Sequence, residues 1–202
     1  TTGLPKATTF FYARTFMGLG LHGPTFYANM MGRPGDVVYT CLPLFHGHAL
    51  QLTTLPGFAA GFPVILSKRF SASRFWDIIR KYGVTNFNLL GSMPHFLLKQ
   101  PPKSNDRDNP VWRVNSAACP KELIEVFENR FDVKVYEAYG AVDGGGFLLS
   151  TYGRENIPVG TMGMPLDGQT AEIMDDDGTN LGPDQPGELV FHVREEEAEQ
   201  RK

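Results

Sequence analysis

Trp112-Arg113-Val114-Asn115-Ser116, then a run from Pro120 to Arg130, then Val133-Lys134-Val135-Tyr136 reads as strand, helix, strand. Pro120 suits the first turn of a helix, where its missing N–H costs nothing. Glu122, Leu123, Val126, Phe127 and Arg130 carry the helical period. Two strands joined by a helix of this length are parallel, because a hairpin connection would be far shorter. The same alternation extends upstream. Val84 to Leu90 is expected as a strand and Pro94 to Lys99 as a short helix. Ser71 is placed to cap a helix from Ser73 to Tyr82, with Phe75, Trp76, Ile78 and Ile79 on its inner side and Gly83 ending it. Pro63 to Ser67 is a short strand, and Leu50 to Ala60 a helix stopped by Gly61. The turn Arg33-Pro34-Gly35-Asp36 launches the strand Val37 to Leu42, which Pro43 stops. Thr8 to Leu21 is expected as a helix ending near Gly18–Gly23. The expected fold is α/β, a mostly parallel sheet with helices on both faces. Ligands in such folds sit off the carboxyl ends of the strands.

From Pro158 the texture changes to Gly, Pro, Asp and short alternating runs. Thr170 to Met174 reads as a strand, Asp175-Asp176-Asp177-Gly178 as a hairpin turn, and Gly187 to Val193 as a further strand. The expected organisation is an α/β unit over 1–157, a small β unit over 158–193 and a charged tail over 194–202.

The chain has 202 residues, 42% hydrophobic and 20% charged, which fits a globular domain with a substantial core and excludes disorder, collagen and coiled coil. Every apolar stretch is interrupted well short of a membrane span. The first residues show no signal-peptide pattern. A net charge of -3 without a basic patch argues against nucleic acid. Cys41 and Cys119 have neither metal nor disulfide spacing and read as reduced thiols, so the expected location is cytoplasmic. The 15 phenylalanines point to thick apolar layers or an apolar pocket.

Several motifs carry chemistry. Thr1-Thr2-Gly3-Leu4-Pro5-Lys6 has the hydroxyls, open backbone and cation of an anion-binding loop, or is an ordinary turn. Gly18-x-Gly20-x-x-Gly23 matches the dinucleotide fingerprint literally, but its glycines end a helix rather than open one, so a nicotinamide site is rejected. His46-Gly47-His48 lacks further ligands nearby and reads as a ligand-facing loop at a strand end rather than a metal site. Tyr136 to Gly146 offers an aromatic ring, backbone glycines and a carboxylate after a strand, suited to stacking a base and holding a cation, or is a Gly-rich turn. Asp175 to Gly178 resembles the start of a calcium loop, but Pro186 stands where the closing Glu belongs.

In order and spacing, these pieces resemble the adenylate-forming acyl-CoA ligase superfamily. Thr1 to Lys6 is similar to the second half of its phosphate loop, and Leu42-Pro43-Leu44-Phe45-His46 to its Pro-Leu-Phe-His segment. Ser116-Ala117-Ala118-Cys119-Pro120 stands where the adenine-wall segment Gly-Gly-Ala-Pro belongs, and Tyr139-Gly140-Ala141-Val142-Asp143 where Tyr-Gly-x-Thr-Glu belongs. Val159 to Pro165 and Pro186 to Leu189 resemble the two segments that follow. Phe70 to Trp76, with Gln100-Pro101-Pro102, is most similar to the crotonobetaine/carnitine-CoA ligase branch. The resemblance spans almost the whole chain but less than half of the family's length, so the chain resembles an internal part of the large N-terminal domain of such an enzyme.

The resemblance implies a two-step reaction: a small carboxylic acid and ATP give an acyl-adenylate, whose acyl group passes to coenzyme A. It implies that Thr1, Thr2, Gly3 and Lys6 hold the β- and γ-phosphates, with Lys6 and His46 as catalytic groups. Ala118, Cys119 and Pro120 would line the adenine, Tyr139 would stack on it, and Gly140 and Val142 would complete the nucleotide site. Asp143 would hold Mg²⁺. His46 would border the acyl group, with Gly91, Ser92, Gly140 and Ala141 lining its pocket. Val142 replaces the family's Thr and loses a hydroxyl contact of about 1 kcal/mol. Asp143 replaces Glu and draws the carboxylate back by about 1.5 Å. The family's catalytic Lys lies in a carboxy-terminal domain outside this stretch, so the chain alone is expected to lack ATP–pyrophosphate exchange. The rival reading is a non-catalytic nucleotide- or acyl-binding module, or an inactive truncated product. Self-association through exposed apolar faces is also expected.

Overall fold

The computed structural model describes residues 32–140, 148–153, 156–165 and 169–192. The expected helix Thr8 to Leu21, the anion-binding loop Thr1 to Lys6, the residues Ala141, Val142 and Asp143, and the charged tail lie outside the described residues. Five parallel strands form the body of the sheet: β1 (Val38–Thr40), β2 (Val64–Leu66), β3 (Asn86–Leu90), β4 (Arg113–Ala117) and β5 (Val135–Gly140). β6 (Leu148–Ser150) and β7 (Met164–Pro165) add to β5 in antiparallel fashion. The seven strands lie in the order β2-β1-β3-β4-β5-β6-β7. β8 (Ala171–Met174) and β9 (Glu188–Phe191) form a separate antiparallel pair. The expected α/β architecture is thus present. The change of texture at Pro158 does not mark the end of the large sheet, since β7 still pairs with β6.

Register sorts the strand residues onto two faces. Tyr39, Phe87, Val114 and Val135 are cross-strand neighbours on one face. Three helices cover it: α2 (Phe75–Tyr82), α3 (Met93–Leu98) and α4 (Lys121–Phe131). Phe75, Trp76 and Ile79 of α2, Met93 and Leu97 of α3, and Ile124, Phe127 and Phe131 of α4 are buried in that core. The opposite face is polar along β3 and β4, with Asn86 beside Arg113 and Asn88 beside Asn115. It is covered by α1, a helix whose Gly57 packs against Val38 and Val64. α1 is α-helical over Gly47–Ala49, widens to π spacing over Leu50–Thr54 and returns to α over Leu55–Ala59. In the wide turn, the Thr53 and Thr54 hydroxyls donate to the carbonyls of His48 and Ala49, five residues back.

Several expected boundaries move. The strand expected over Val37 to Leu42 is only Val38–Thr40, because Val37 spends its amide on the Thr85 hydroxyl and Leu42 on the Thr40 hydroxyl. Ser71 does not cap α2 by its side chain. Its carbonyl closes a turn with the Arg74 amide at 3.2 Å and its hydroxyl accepts from Arg74 Nε at 3.3 Å, so Arg74 occupies the N-cap. Gly83 ends α2 as expected, with φ +61°. Pro120 stands at the N-cap of α4, one position before the expected first turn. β5 is longer than expected: Tyr139 and Gly140, read as the start of a loop, pair with Leu149 and Leu148.

The candidate site at the carboxyl rim of the sheet

Because β1, β3, β4 and β5 are parallel, their carboxyl ends open onto one rim. Four of the sequence-predicted segments sit there. His46 follows β1, Gly91-Ser92 follows β3, Ala118-Cys119-Pro120 follows β4, and Tyr139-Gly140 closes β5. The other predicted site residues, Thr1, Thr2, Gly3, Lys6, Ala141, Val142 and Asp143, lie outside the described residues.

His46 caps α1. Its amide donates to Pro43 O at 2.9 Å, and its Nδ1 accepts from the His48 amide at 3.1 Å. A ring nitrogen that accepts an amide proton is unprotonated, so the neutral imidazole carries its proton on Nε2. The ring is exposed, leaving that donor at the rim. A groove of about 380 Å³, lined by Thr40, Leu42, Pro43, Leu44, Leu66 and Lys68 among others, opens at the ends of β1 and β2.

The turns after β3 and β4 are tied together: Gly91 donates its amide to Ala117 O at 3.1 Å. Gly91 has φ +53° and Ala118 φ +61°. For alanine the left-handed conformation costs about 1–2 kcal/mol. The next residue offsets that cost, since the Cys119 amide donates to both carboxylate oxygens of Glu137, at 3.3 and 3.4 Å. Ala118 and Pro120 face solvent while Cys119 is buried. Burial, reinforced by Glu137, pushes the Cys119 thiol up to about 11, so it stays protonated and contributes backbone rather than a nucleophile. Tyr139 presents an exposed ring at the end of β5.

Glu137 was not singled out from the sequence, where its partner lies 18 residues away. It is buried, and burial raises its carboxyl above the ordinary value, against the lowering effect of the Ser116 hydroxyl and the Cys119 and Ala118 amides. A carboxyl whose folded pKa is raised favours the folded state below its unfolded pKa and loses that contribution as pH rises through the folded value. Stability therefore falls from this group as pH climbs above about 4.5. Glu137→Gln is expected to remove that contribution, so that urea midpoints rise more steeply from acid to neutral pH in the variant than in the wild-type chain. A variant whose pH profile matches that of the wild-type chain would show that Glu137 contributes nothing to it.

His48 was noticed only as part of a His-x-His pair. It is buried in the first turn of α1, and among the described residues its Nδ1 has no hydrogen-bond partner. Asn88 was missed; its amide donates to His48 O at 3.3 Å and to the Thr53 hydroxyl. The alternation Asn86-Phe87-Asn88-Leu89 was the available signal, since it puts two amides on one face of a buried strand. Among the described residues, no group of three or more His, Cys, Asp or Glu could hold a metal ion, and no helix is long and apolar enough to cross a membrane.

The sequence signature of the AMP-binding enzyme family matches residues 1–194, and the chain belongs to that family. It is 34% identical over 169 residues to a steroid-22-oyl-CoA synthetase of Rhodococcus jostii, covering 77% of this chain and 30% of that protein. It is 33% identical over 169 residues to a medium/long-chain-fatty-acid–CoA ligase of Mycobacterium tuberculosis, covering 82% of this chain and 27% of that protein. The chain thus spans less than a third of the length of these relatives. In fold it is similar to o-succinylbenzoate coenzyme A synthetase of Bacillus subtilis in complex with ATP and magnesium ion, with a TM-score of 0.72, 22% identity, and coverage of 98% of this chain and 42% of that one. It is also similar to ATP-bound MatB of Rhodopseudomonas palustris, with a TM-score of 0.74, 19% identity, and coverage of 87% and 35%.

Proposed function

We propose that this chain carries nucleotide- and acid-binding parts of an AMP-forming acyl-CoA ligase. The observation that carries the reading is the meeting of His46, Gly91-Ser92, Ala118 to Pro120 and Tyr139-Gly140 at one rim of the parallel sheet. The chemistry suits the task. Tyr139 offers an exposed face for a purine, and the strained, amide-anchored turn at Ala118 presents backbone beside it. His46 offers an Nε2 donor that suits an oxygen of the reacting carboxylate or α-phosphate, where charge gathers as the acyl-adenylate forms. Gly91, Ser92, Gly140 and Ala141 would line the acid's path. Thr1, Thr2, Gly3 and Lys6 would receive the outer phosphates, Val142 would complete the nucleotide site, and Asp143 would hold Mg²⁺, on the strength of the family resemblance. Coenzyme A would accept the acyl group in the whole protein.

The acid belongs to the fatty or sterol-derived acids rather than to the carnitine-like acids suggested by Phe70 to Trp76. The names of the relatives in Rhodococcus jostii and Mycobacterium tuberculosis support this choice. A cytoplasmic location and self-association through exposed Leu44 and Phe45 complete the proposal.

Titration calorimetry with AMP tests the nucleotide half. Stacking on an aromatic ring is worth about 1–3 kcal/mol per base. Tyr139→Ala is therefore expected to weaken AMP binding roughly tenfold or more while leaving the thermal midpoint nearly unchanged, since the ring is exposed. Unaltered affinity in the variant would remove Tyr139 from the nucleotide site. Failure of the wild-type chain to bind AMP would overturn the reading.

A further inference from the structure

Tyr139 and the turn Ala118-Cys119-Pro120 stand at the ends of neighbouring strands, since Ser116 of β4 pairs with Glu137 of β5. The base of the proposed nucleotide would lie between them. Tyr139 is held by its strand, where it pairs with Leu149 of β6. The turn is held differently. Beyond Ala117, the last residue of β4, the chain leaves the sheet, and Ala118 takes φ +61°. An alanine left to itself abandons that conformation for the right-handed or extended one. Two bonds fix its neighbours. Gly91 donates its amide to Ala117 O at 3.1 Å, on one side of the strained residue. On the other side, the Cys119 amide donates to both carboxylate oxygens of Glu137, at 3.3 and 3.4 Å. Turning Ala118 out of the left-handed region would carry that amide off a carboxyl that is itself buried, and a buried acceptor deprived of its donor is costly. Side chains alternate along a strand, so Glu137 and Tyr139 lie on the same face of β5. One strand thus carries both the exposed ring and the group that fixes the turn opposite it.

We propose that Glu137 is a positioning residue for the nucleotide: it holds Ala118 in the left-handed conformation and so sets the gap between that turn and Tyr139. It acts through the Cys119 amide and not by touching the nucleotide. The inference rests on the ligase reading and deepens it, adding the buried group that keeps the exposed turn in place. The strain that Glu137 opposes comes from the Cβ of Ala118, because that atom is what crowds the backbone at positive φ. Glycine lacks it and occupies positive φ as readily as negative. The nucleotide site therefore depends on Glu137 only while residue 118 carries a Cβ.

The test is calorimetric titration of AMP into the whole chain at neutral pH, well below the thermal midpoint of each variant. Glu137→Leu fills much of the carboxyl's space but accepts no hydrogen bond. It is expected to weaken AMP binding about 5- to 30-fold, the strain of one left-handed alanine expressed as affinity. Glu137→Gln keeps an acceptor for the Cys119 amide and is expected to lose less than about threefold. In an Ala118→Gly background, Glu137→Leu is expected to cost less than about threefold as well. That rescue is the readout a merely structural role would not move, since lost packing lowers the thermal midpoint in both backgrounds and leaves the affinity of the folded chain alone. Wild-type affinity in Glu137→Leu would overturn the positioning role. So would a loss of equal size in both backgrounds, which would mean that the carboxyl acts otherwise than through Ala118. In either case the nucleotide reading stands. Failure of the wild-type chain to bind AMP would instead sink that reading, and the positioning role with it. Should Glu137→Leu not fold, Glu137→Ala takes its place in both backgrounds.

Discussion

Phe87→Ala is expected to remove about 3–5 kcal/mol of stability, a large part of the 5–15 kcal/mol that holds a domain together. Phe87, the second residue of β3, is 1% exposed. Its ring meets the edge of Phe75 at 5.0 Å and of Trp76 at 5.7 Å. Trp76 in turn stacks on Phe131 at 4.3 Å, and Phe131 leans on Phe127 at 4.8 Å. The ring at position 87 is therefore the sheet's contact with an aromatic chain that binds α2 to α4. Its removal leaves a void bounded by rigid rings, which relax into it poorly, so both the lost transfer energy and the cavity are felt. Urea denaturation checks the claim: the midpoint should fall sharply at unchanged slope. Phe96→Ala supplies the control, because Phe96 is 47% exposed and its truncation should change stability by only about 0.5 kcal/mol. A loss below about 1 kcal/mol at Phe87 would mean that the aromatic chain does not hold the sheet.

That core was legible in the sequence because its cause is local. The period of Phe75, Trp76 and Ile79 points one face of α2 inward, and Gly83 stops the helix in a conformation other residues avoid. The parallel sheet was legible for the same reason, since each crossover helix announces itself by period. What was missed depends on partners distant in the chain. Tyr139 and Gly140 look like the start of a Gly-rich loop, but β6 pairs with them and keeps them extended. Glu137 looks like one more residue of a motif until the Cys119 amide is brought to its carboxylate. The polar face of β3 lies in a run read only as a strand, although Asn86 and Asn88 alternate with its hydrophobic members in plain view. At the candidate site, the motifs located the rim segments after β1, β3 and β4, because strand ends are where α/β folds put such loops. Which groups support those segments from beneath is a matter of cross-strand register, which no single stretch encodes.

Acidification from pH 6.5 to about 4 is expected to withdraw roughly 3 kcal/mol of stability through His48 alone. The imidazole is buried, and burial, followed by the charge of nearby His46, lowers its pKa from 6.5 to about 4. A base whose folded pKa is depressed takes up its proton more readily unfolded. Between the two values the unfolded chain binds more protons, so stability rises with pH across that window and is lost as pH falls through it. Glu137 slopes the other way, losing stability as pH climbs above about 4.5. The two groups overlap in range and partly cancel in the wild-type chain, so a nearly flat profile there would not show that either is silent. The variants separate them. In a Glu137→Gln background the acid loss should be steeper than in wild type, and adding His48→Leu should abolish most of it, read as urea midpoints across the same pH range. If the steep loss survives in that double variant, the buried imidazole is not its source, and the burial of His48 in the first turn of α1 would have to be wrong.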